Sequence, residues 1–283
     1  MTPLASVVIP AHNEQSVIGR LLERLLAGAA PGELDVVVVP NGCSDRTAAV
    51  AASYGPDVRV VESPAPSKRA ALRLGDEQAR TFPRLYVDAD VELDGDDVRR
   101  LCAALAEPGV LAVAPERRLD LTGRSRAVRM YHQVWRRLPA VRAGLFGRGV
   151  LAVTEEGHKR IRTLPPVMAD DLAASLAFAP EECAVVAGAE VVVRLPRTWP
   201  DLVRRRIRVE TGTSQLELDE VLAGASARTG LRDLVDMVRA EPGLAPAMVV
   251  FLATAVVARL GARRAKRSGD FSTWLRDESS RRN

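Results

Sequence analysis

Apolar residues in this chain gather into short unbroken runs, and amphipathic stretches separate the runs. Residues 5–9 form one such run, stopped by Pro10, and predict a buried strand. Val17, Ile18, Leu21, Leu22 and Leu25 then recur at helical spacing with Arg20, Glu23 and Arg24 opposite, which predicts an amphipathic helix. Val36–Val39 is a second strand, closed by the turn-forming Pro40-Asn41-Gly42. A helix follows from Asp45 to Ser53, a strand over Val58–Val61, a helix over Ser67–Arg80 and a strand at Leu85-Tyr86-Val87, ending in Asp88-Ala89-Asp90.

Strands alternating with helices in this way predict an α/β fold with a doubly wound, mostly parallel sheet. The strands are apolar throughout rather than alternating, so helices should cover both faces. Ligands of such sheets bind beyond the carboxyl ends of the strands, where the polar clusters of this sequence fall. After Asp97 the pattern predicts a helix at 96–106, a strand at 110–113 and a helix-rich, Arg-studded stretch to Arg142. Strands at 150–153 and 184–193 and helices at 155–162 and 170–178 come next. From residue 230 the chain reads as helical, with Leu231, Leu234, Val235 and Val238 on one face and Pro242 as a stop. The expected division is a catalytic domain over 1–225, with a nucleotide-binding half at 1–100 and an acceptor half at 101–225, and a helical appendage over 226–283.

Composition narrows this picture only a little. With 47% hydrophobic residues in 283, a sizeable core is available and disorder is excluded as the default state. A net charge of +4 suits a polyanionic ligand or an anionic surface. Aromatic residues make up 4% and no recognition motif appears, which argues against nucleic acid as a partner. Cys43, Cys102 and Cys183 lack paired spacing and predict a reducing, cytoplasmic setting, and the first residues lack the layout of a signal peptide. His132 and His158 show no ligand spacing and read as structural.

Asp88 and Asp90 are the sharpest chemical signal. Two carboxylates one residue apart at the end of a buried strand would point the same way in an extended chain. Hard oxygen ligands of this kind suit Mn2+ or Mg2+, which leave coordination positions for substrate phosphates. A solvated acidic strand end is the plainer reading, since Glu92, Asp94, Asp96 and Asp97 follow closely.

Three segments taken together carry a resemblance: Val7-Val8-Ile9-Pro10-Ala11-His12-Asn13-Glu14, then Val39-Pro40-Asn41-Gly42-Cys43-Ser44-Asp45-Arg46-Thr47, then Tyr86-Val87-Asp88-Ala89-Asp90. In order and spacing they resemble the family 2 glycosyltransferases of the GT-A fold. The resemblance implies a nucleotide-sugar site built from Pro10, Ala11, His12, Glu14, Asn41, Lys68, Asp88, Ala89, Asp90 and Gly149, with Asp88 and Asp90 on the metal. His12 stands where the family has an aromatic residue. Asn41 stands where it often has an acidic one, and its amide suits uracil, thymine or guanine. Lys68 sits at a helix start, where a cation is mildly unfavourable unless an anion is near, which argues for a phosphate or nucleotide neighbour; a solvated lysine is the plainer reading. Glu14 and Asp45 also fit plain helix-start roles.

Met168-Ala169-Asp170-Asp171-Leu172 resembles the acidic pair that holds the family's catalytic base, which implies Asp171 in that role with Asp170 beside it. The plainer reading is a helix cap. Residues 202–212 resemble a degenerate form of the Gln-x-x-Arg-Trp segment of processive members. The arginine is kept as Arg208 while Gln and Trp are lost, implying non-processive transfer with Arg208 on the leaving diphosphate. The implied partners are a UDP- or GDP-linked sugar donor and a hydroxyl acceptor, reached with inversion. Two alternatives stay open: a polyprenyl-phosphate acceptor at a membrane, and a nucleotide-sugar binder without catalysis.

Ala245–Ala258 is almost wholly apolar and is followed by Arg259, Arg263, Arg264, Lys266 and Arg267. The run is shorter than the roughly 20 residues that span a bilayer. It should either pack on the catalytic domain or in a homodimer, or dock peripherally on the inner face of a membrane.

Overall fold

The computed structural model describes residues 2–164, 170–216 and 230–267. The first unbroken segment starts with β1 (Ala5–Ala11), α1 (Ile18–Ala27), β2 (Leu34–Pro40) and α2 (Thr47–Ala52). It continues through β3 (Val58–Val60), α3 (Lys68–Gln78), β4 (Arg84–Val87), β5 (Val91–Glu92), α4 (Gly95–Leu105) and β6 (Ala112–Asp120). Two short helices, α5 (Arg126–Trp135) and α6 (Pro139–Ala143), precede β7 (Val150–Val153) and α7 (Glu155–Arg162). The chain then forms α8 (Asp170–Leu176), β8 (Cys183–Arg194), α9 (Trp199–Leu216), α10 (Leu231–Ala240) and α11 (Ala245–Arg267).

The strands form one sheet in the order β3-β2-β1-β4-β7-β6-β8-β5. Strands β3, β2, β1 and β4 run parallel, whereas β7 joins β4, β6 joins β7 and β5 joins β8 antiparallel. Every residue of β1 and β2 is buried, as their uninterrupted apolar character requires. Ile18, Leu21, Leu22 and Leu25 of α1 join those strands in one core. The register sets the site. Ala11 pairs with Pro40, and Val8 pairs with Tyr86, so the carboxyl ends of β1, β2 and β4 come out side by side.

The chain divides into two compact units. The first comprises Met1–Leu119, Arg148–Leu164 and Ala177–Val193 and holds nearly all of the sheet; the second comprises Asp120–Gly147, Pro165–Leu176 and Arg194–Asn283. In the second unit, Val134, Leu138, Val141, Ala247 and Met248 form the centre of a helical core. The boundary expected at residues 225 and 226 lies outside the described residues.

Two expectations about elements differ from the structure. Residues 114–120, expected to start a helix-rich stretch, extend β6 instead. On the apolar face of α10, Leu234 and Val238 pack inward while Val235 is 47% exposed. The second difference concerns the apolar tail. An uninterrupted apolar run of this length is too short to span a bilayer, yet Pro242–Arg264 is long and apolar enough by length and composition. Arginines near a helix end do not interrupt the helix, so the run alone understates its reach.

Candidate functional site

At the tip of β1 the chain leaves the sheet through His12 and Asn13, and Asn13 takes a left-handed backbone with φ 52°. The β2 tip continues into Asn41, Gly42 and Cys43. The two loops are latched to each other. His12 Nδ1 donates to the Asn41 carbonyl (2.5 Å), and Asn41 Nδ2 donates to the Ala11 carbonyl (3.0 Å). The Ser44 amide donates to Asn13 Oδ1 (2.7 Å), and the Glu14 amide donates to Thr47 Oγ1 (2.7 Å). Asp45 receives the Thr47 amide on one oxygen and the Gln15 amide on the other, so it both serves the start of α2 and ties the loops. Pro10, Ala11, Glu14 and Asn41 are buried there, and His12 is half-buried. Glu14 precedes α1 by four residues, and its carbonyl accepts the Val17 and Ile18 amides (both 2.9 Å) where the helix begins. Asn13, Ser44 and Thr47, which hold these loops, fall within the motif segments, but neither periodicity nor charge gives them a role in the sequence.

The Asp88-Ala89-Asp90 segment departs from the expected extended chain. Ala89 and Asp90 form a turn between β4 and β5, and the Val91 amide reaches back to the Asp88 carbonyl (3.4 Å). The alternation survives by another route. Ala89 is 4% exposed and belongs to the core, while both aspartates stay half-buried at the surface of the sheet end. Gly149, on the neighbouring β7 side, accepts the Asp88 amide through its carbonyl (2.8 Å). With φ 69°, a Cβ there would lie 2.5 Å from Val91 Cγ1 and 3.4 Å from Asp88 Oδ2, so only glycine lets this backbone pass beside the carboxylate.

Lys68 is the first residue of α3, whose preceding Ser67 accepts the Ala70 amide (3.2 Å). In the structure the anion beside it is a carboxylate: Asp88 Oδ1 lies 2.9 Å from Lys68 Nζ. Next to Gly149, Arg148 is 3% exposed and donates to the Pro115 carbonyl (2.9 Å). Burial pulls its guanidinium down to about 10, with the Glu116 carboxylate acting in the opposite sense, and it stays charged at neutral pH.

Behind β4 lies a polar network of which only Tyr86 falls in a sequence motif. Tyr86 donates to Asp76 Oδ1 (2.8 Å), Arg84 pairs with the same oxygen (3.0 Å), and His158 Nδ1 lies 2.7 Å from the Tyr86 oxygen. Because the phenol proton goes to Asp76, His158 Nδ1 is the donor in that last contact. Burial foremost, then the Asp76 charge, raises the Tyr86 hydroxyl far above its ordinary value and keeps it protonated. The network braces the strand that ends in Asp88.

The remaining sequence candidates belong to the second unit. Helix α8 starts at Asp170, so Asp170 and Asp171 occupy its first turn; their side chains lie outside the described residues. Arg208 is half-buried on α9, where Arg204 pairs with Asp201 of the same helix.

Among the described residues no group of three or more His, Cys, Asp or Glu could enclose a metal. Two half-exposed carboxylates beside a cation and a glycine backbone are a different donor set. They suit a Mg2+ or Mn2+ ion that completes its shell with phosphate oxygens and water, and they fit that ion.

Comparison with known proteins bears on the family and the fold. The glycosyl transferase family 2 profile matches residues 6–159, more than half the chain. A 4,4'-diaponeurosporenoate glycosyltransferase of Staphylococcus aureus is 37% identical over 118 residues, covering 39% of this chain and 31% of that protein. An uncharacterized glycosyltransferase of Mycobacterium bovis is 32% identical over 130 residues, covering 46% of this chain and 52% of that protein. The matched region is thus about a third to a half of these relatives. Among solved structures, a mannosyltransferase of Pyrobaculum calidifontis in complex with GDP-Man and Mn2+ covers 95% of this chain and 84% of its own, with a TM-score of 0.62 at 21% identity. Glucosyl-3-phosphoglycerate synthase of Mycobacterium tuberculosis, in complex with Mn2+, UDP and glucosyl-3-phosphoglycerate, covers 75% and 79% with a TM-score of 0.53, also at 21% identity. At such identity these likenesses concern the fold. Sequence motifs, sheet register and family profile converge, and the chain belongs to glycosyl transferase family 2.

Proposed function

We propose that this protein is a glycosyltransferase that moves a sugar from a nucleoside diphosphate donor to a hydroxyl acceptor, one residue at a time and with inversion. The carrying observation is the register that sets Asp88, with Lys68 on its carboxylate, beside the latched loops at the ends of β1 and β2. In this reading Pro10, Ala11, His12, Glu14 and Asn41 hold the nucleoside. Asp88 and Asp90 would hold a Mn2+ or Mg2+ ion, which when bound supplies neutralisation of the diphosphate charge. Lys68 offers a further cation to phosphate oxygens, and Arg208 is a second candidate, a role that rests on the motif alone; arginine binds such oxygens in bidentate fashion. Gly149 keeps the backbone low enough for a sugar to approach. Asp171 is the base that takes the acceptor's proton, with Asp170 as its neighbour, a role that rests on the motif alone. Direct displacement from the face opposite the leaving group inverts the anomeric carbon. The nucleotides bound by the structural neighbours, GDP-Man in one and UDP in the other, favour a UDP- or GDP-linked sugar.

The test is a thermal-shift panel of nucleoside diphosphates with and without Mn2+. A matching nucleotide at about a hundred times its dissociation constant should add roughly 2.7 kcal/mol of stability. The gain should need both the right base and the metal, and should vanish in Asp90→Ala. Equal stabilisation by every base, or none by any, would remove the reading.

A further inference from the structure

Helix α11 is apolar on two opposite faces for two different reasons. One face carries Ala247, Met248, Thr254, Ala258 and Ala262, all 7% exposed or less, and it packs on α5 and α9. Phe251 stacks on Tyr131 at 5.1 Å between ring centroids, and Trp199 Nε1 donates to Thr254 Oγ1 (2.9 Å). The other face presents Val249, Leu252, Val256, Val257 and Leu260 at 68, 42, 54, 38 and 58% exposure. Their spacing of three, four, one and three places them within one stripe of a 3.6-residue helix. An unbroken exposed stripe of large aliphatic side chains marks a surface with a partner, unlike scattered single ones.

The charges say which partner. At 100° per residue the stripe runs on into the exposed Arg263 and Arg264, one turn beyond Leu260 and on the same side. The whole helix, Ala245–Arg267, contains no Asp or Glu. An aliphatic stripe ending in arginines on one side of a helix fits acyl chains below and lipid phosphates at the end. We propose that the outward face of α11 is a docking surface for an anionic lipid bilayer, with the helix lying in the interface plane.

Spanning is ruled against by the packing. Although Pro242–Arg264 has the length and composition to cross a bilayer, lipid would have to replace α5 and α9 along the buried face and strip the Trp199–Thr254 hydrogen bond. Lying flat, the helix keeps both.

Sedimentation of the full chain with phosphatidylglycerol–phosphatidylcholine vesicles tests the docking, beside pure phosphatidylcholine. The protein should pellet with the anionic vesicles and be released by salt. Arg263→Gln/Arg264→Gln should weaken this about 30-fold. Leu252→Glu/Val256→Glu should abolish it while nucleotide-linked stabilisation is kept. As a check independent of those variants' folding, the added fluorescence of Leu252→Trp should be quenched by brominated acyl chains. Three results would overturn the proposal. One is no pelleting with anionic vesicles, and another is no quenching at position 252. The third is a lipid-free dimer that Leu252→Glu/Val256→Glu dissolves while vesicle binding persists, which would assign the face to a second copy of the chain.

Discussion

Single residues show how burial sets chemistry here. His132 is 7% exposed on α5, between the edges of the Tyr131 and Trp135 rings, and its Nδ1 donates to the Val128 carbonyl (2.9 Å). Burial lowers it from 6.5 to about 4; the hydrogen bond to Val128 opposes that, and Arg205 and Arg206 add to it. Between those two values the unfolded chain takes up a proton that the native protein refuses. Stability must therefore fall as pH drops from 6.5 towards 4, by on the order of 1 kcal/mol for each unit. Below about 4 both states are protonated and the dependence ends. Urea denaturation at pH 7 and pH 5 should show this loss, and His132→Phe should flatten it. An unchanged slope in the variant would place the titration elsewhere. The absence of ligand spacing around His132 predicts a structural role, and its packing agrees.

At the scale of elements, the close contact of α3 with the sheet decides a substitution that propensity alone would get wrong. In an exposed helix interior, alanine beats glycine by about 1 kcal/mol. Gly75 sits mid-helix in α3, but a Cβ there would lie 2.3 Å from Val8 Cγ1 on β1 and 3.3 Å from Val39 Cγ2 on β2. Overpacking of this kind costs about 1–3 kcal/mol and outweighs the propensity gain. Gly75→Ala should accordingly lower the denaturation midpoint, and because α3 begins with Lys68 it should also weaken nucleotide-linked stabilisation. A midpoint that rises would mean that the helix can lift off the sheet at no cost. Nothing in the periodicity of α3 distinguishes Gly75 from a tolerated glycine; only the partner strands do.

At the scale of the whole molecule, the proposed metal-holding carboxylates and the proposed base fall in different units, so their roles can be separated by experiment. Carboxylates Asp88 and Asp90 belong to the unit with the sheet, while Asp171 belongs to the helical unit. Asp171→Asn should leave nucleotide-linked stabilisation intact and reduce transfer to a hydroxyl acceptor by 100-fold or more, a general base contributing about 10²–10⁴. Product formation from labelled donor, measured beside the thermal shift, reads both quantities. Full activity in this variant would favour a lipid phosphate as acceptor, which needs no strong base. Loss of nucleotide binding would instead deny Asp171 the role of base.

Much of the parallel half of the fold is legible in the order of residues alone. Unbroken apolar runs and helices of period 3.6 are local properties, so β1, α1, β2, α3, β4 and α7 lie close to where the pattern puts them. The motif order likewise singles out Asp88, Asp90 and Lys68, because their chemistry is written in residue type. What the sequence cannot express is anything fixed by two distant segments at once. The turn at Ala89-Asp90, the pairing of Lys68 with Asp88, the latch between Asn13 and Ser44 and the outward face of α11 all depend on which neighbours the fold supplies. Spacing along the chain records the direction of a side chain, whereas its partner is chosen in three dimensions.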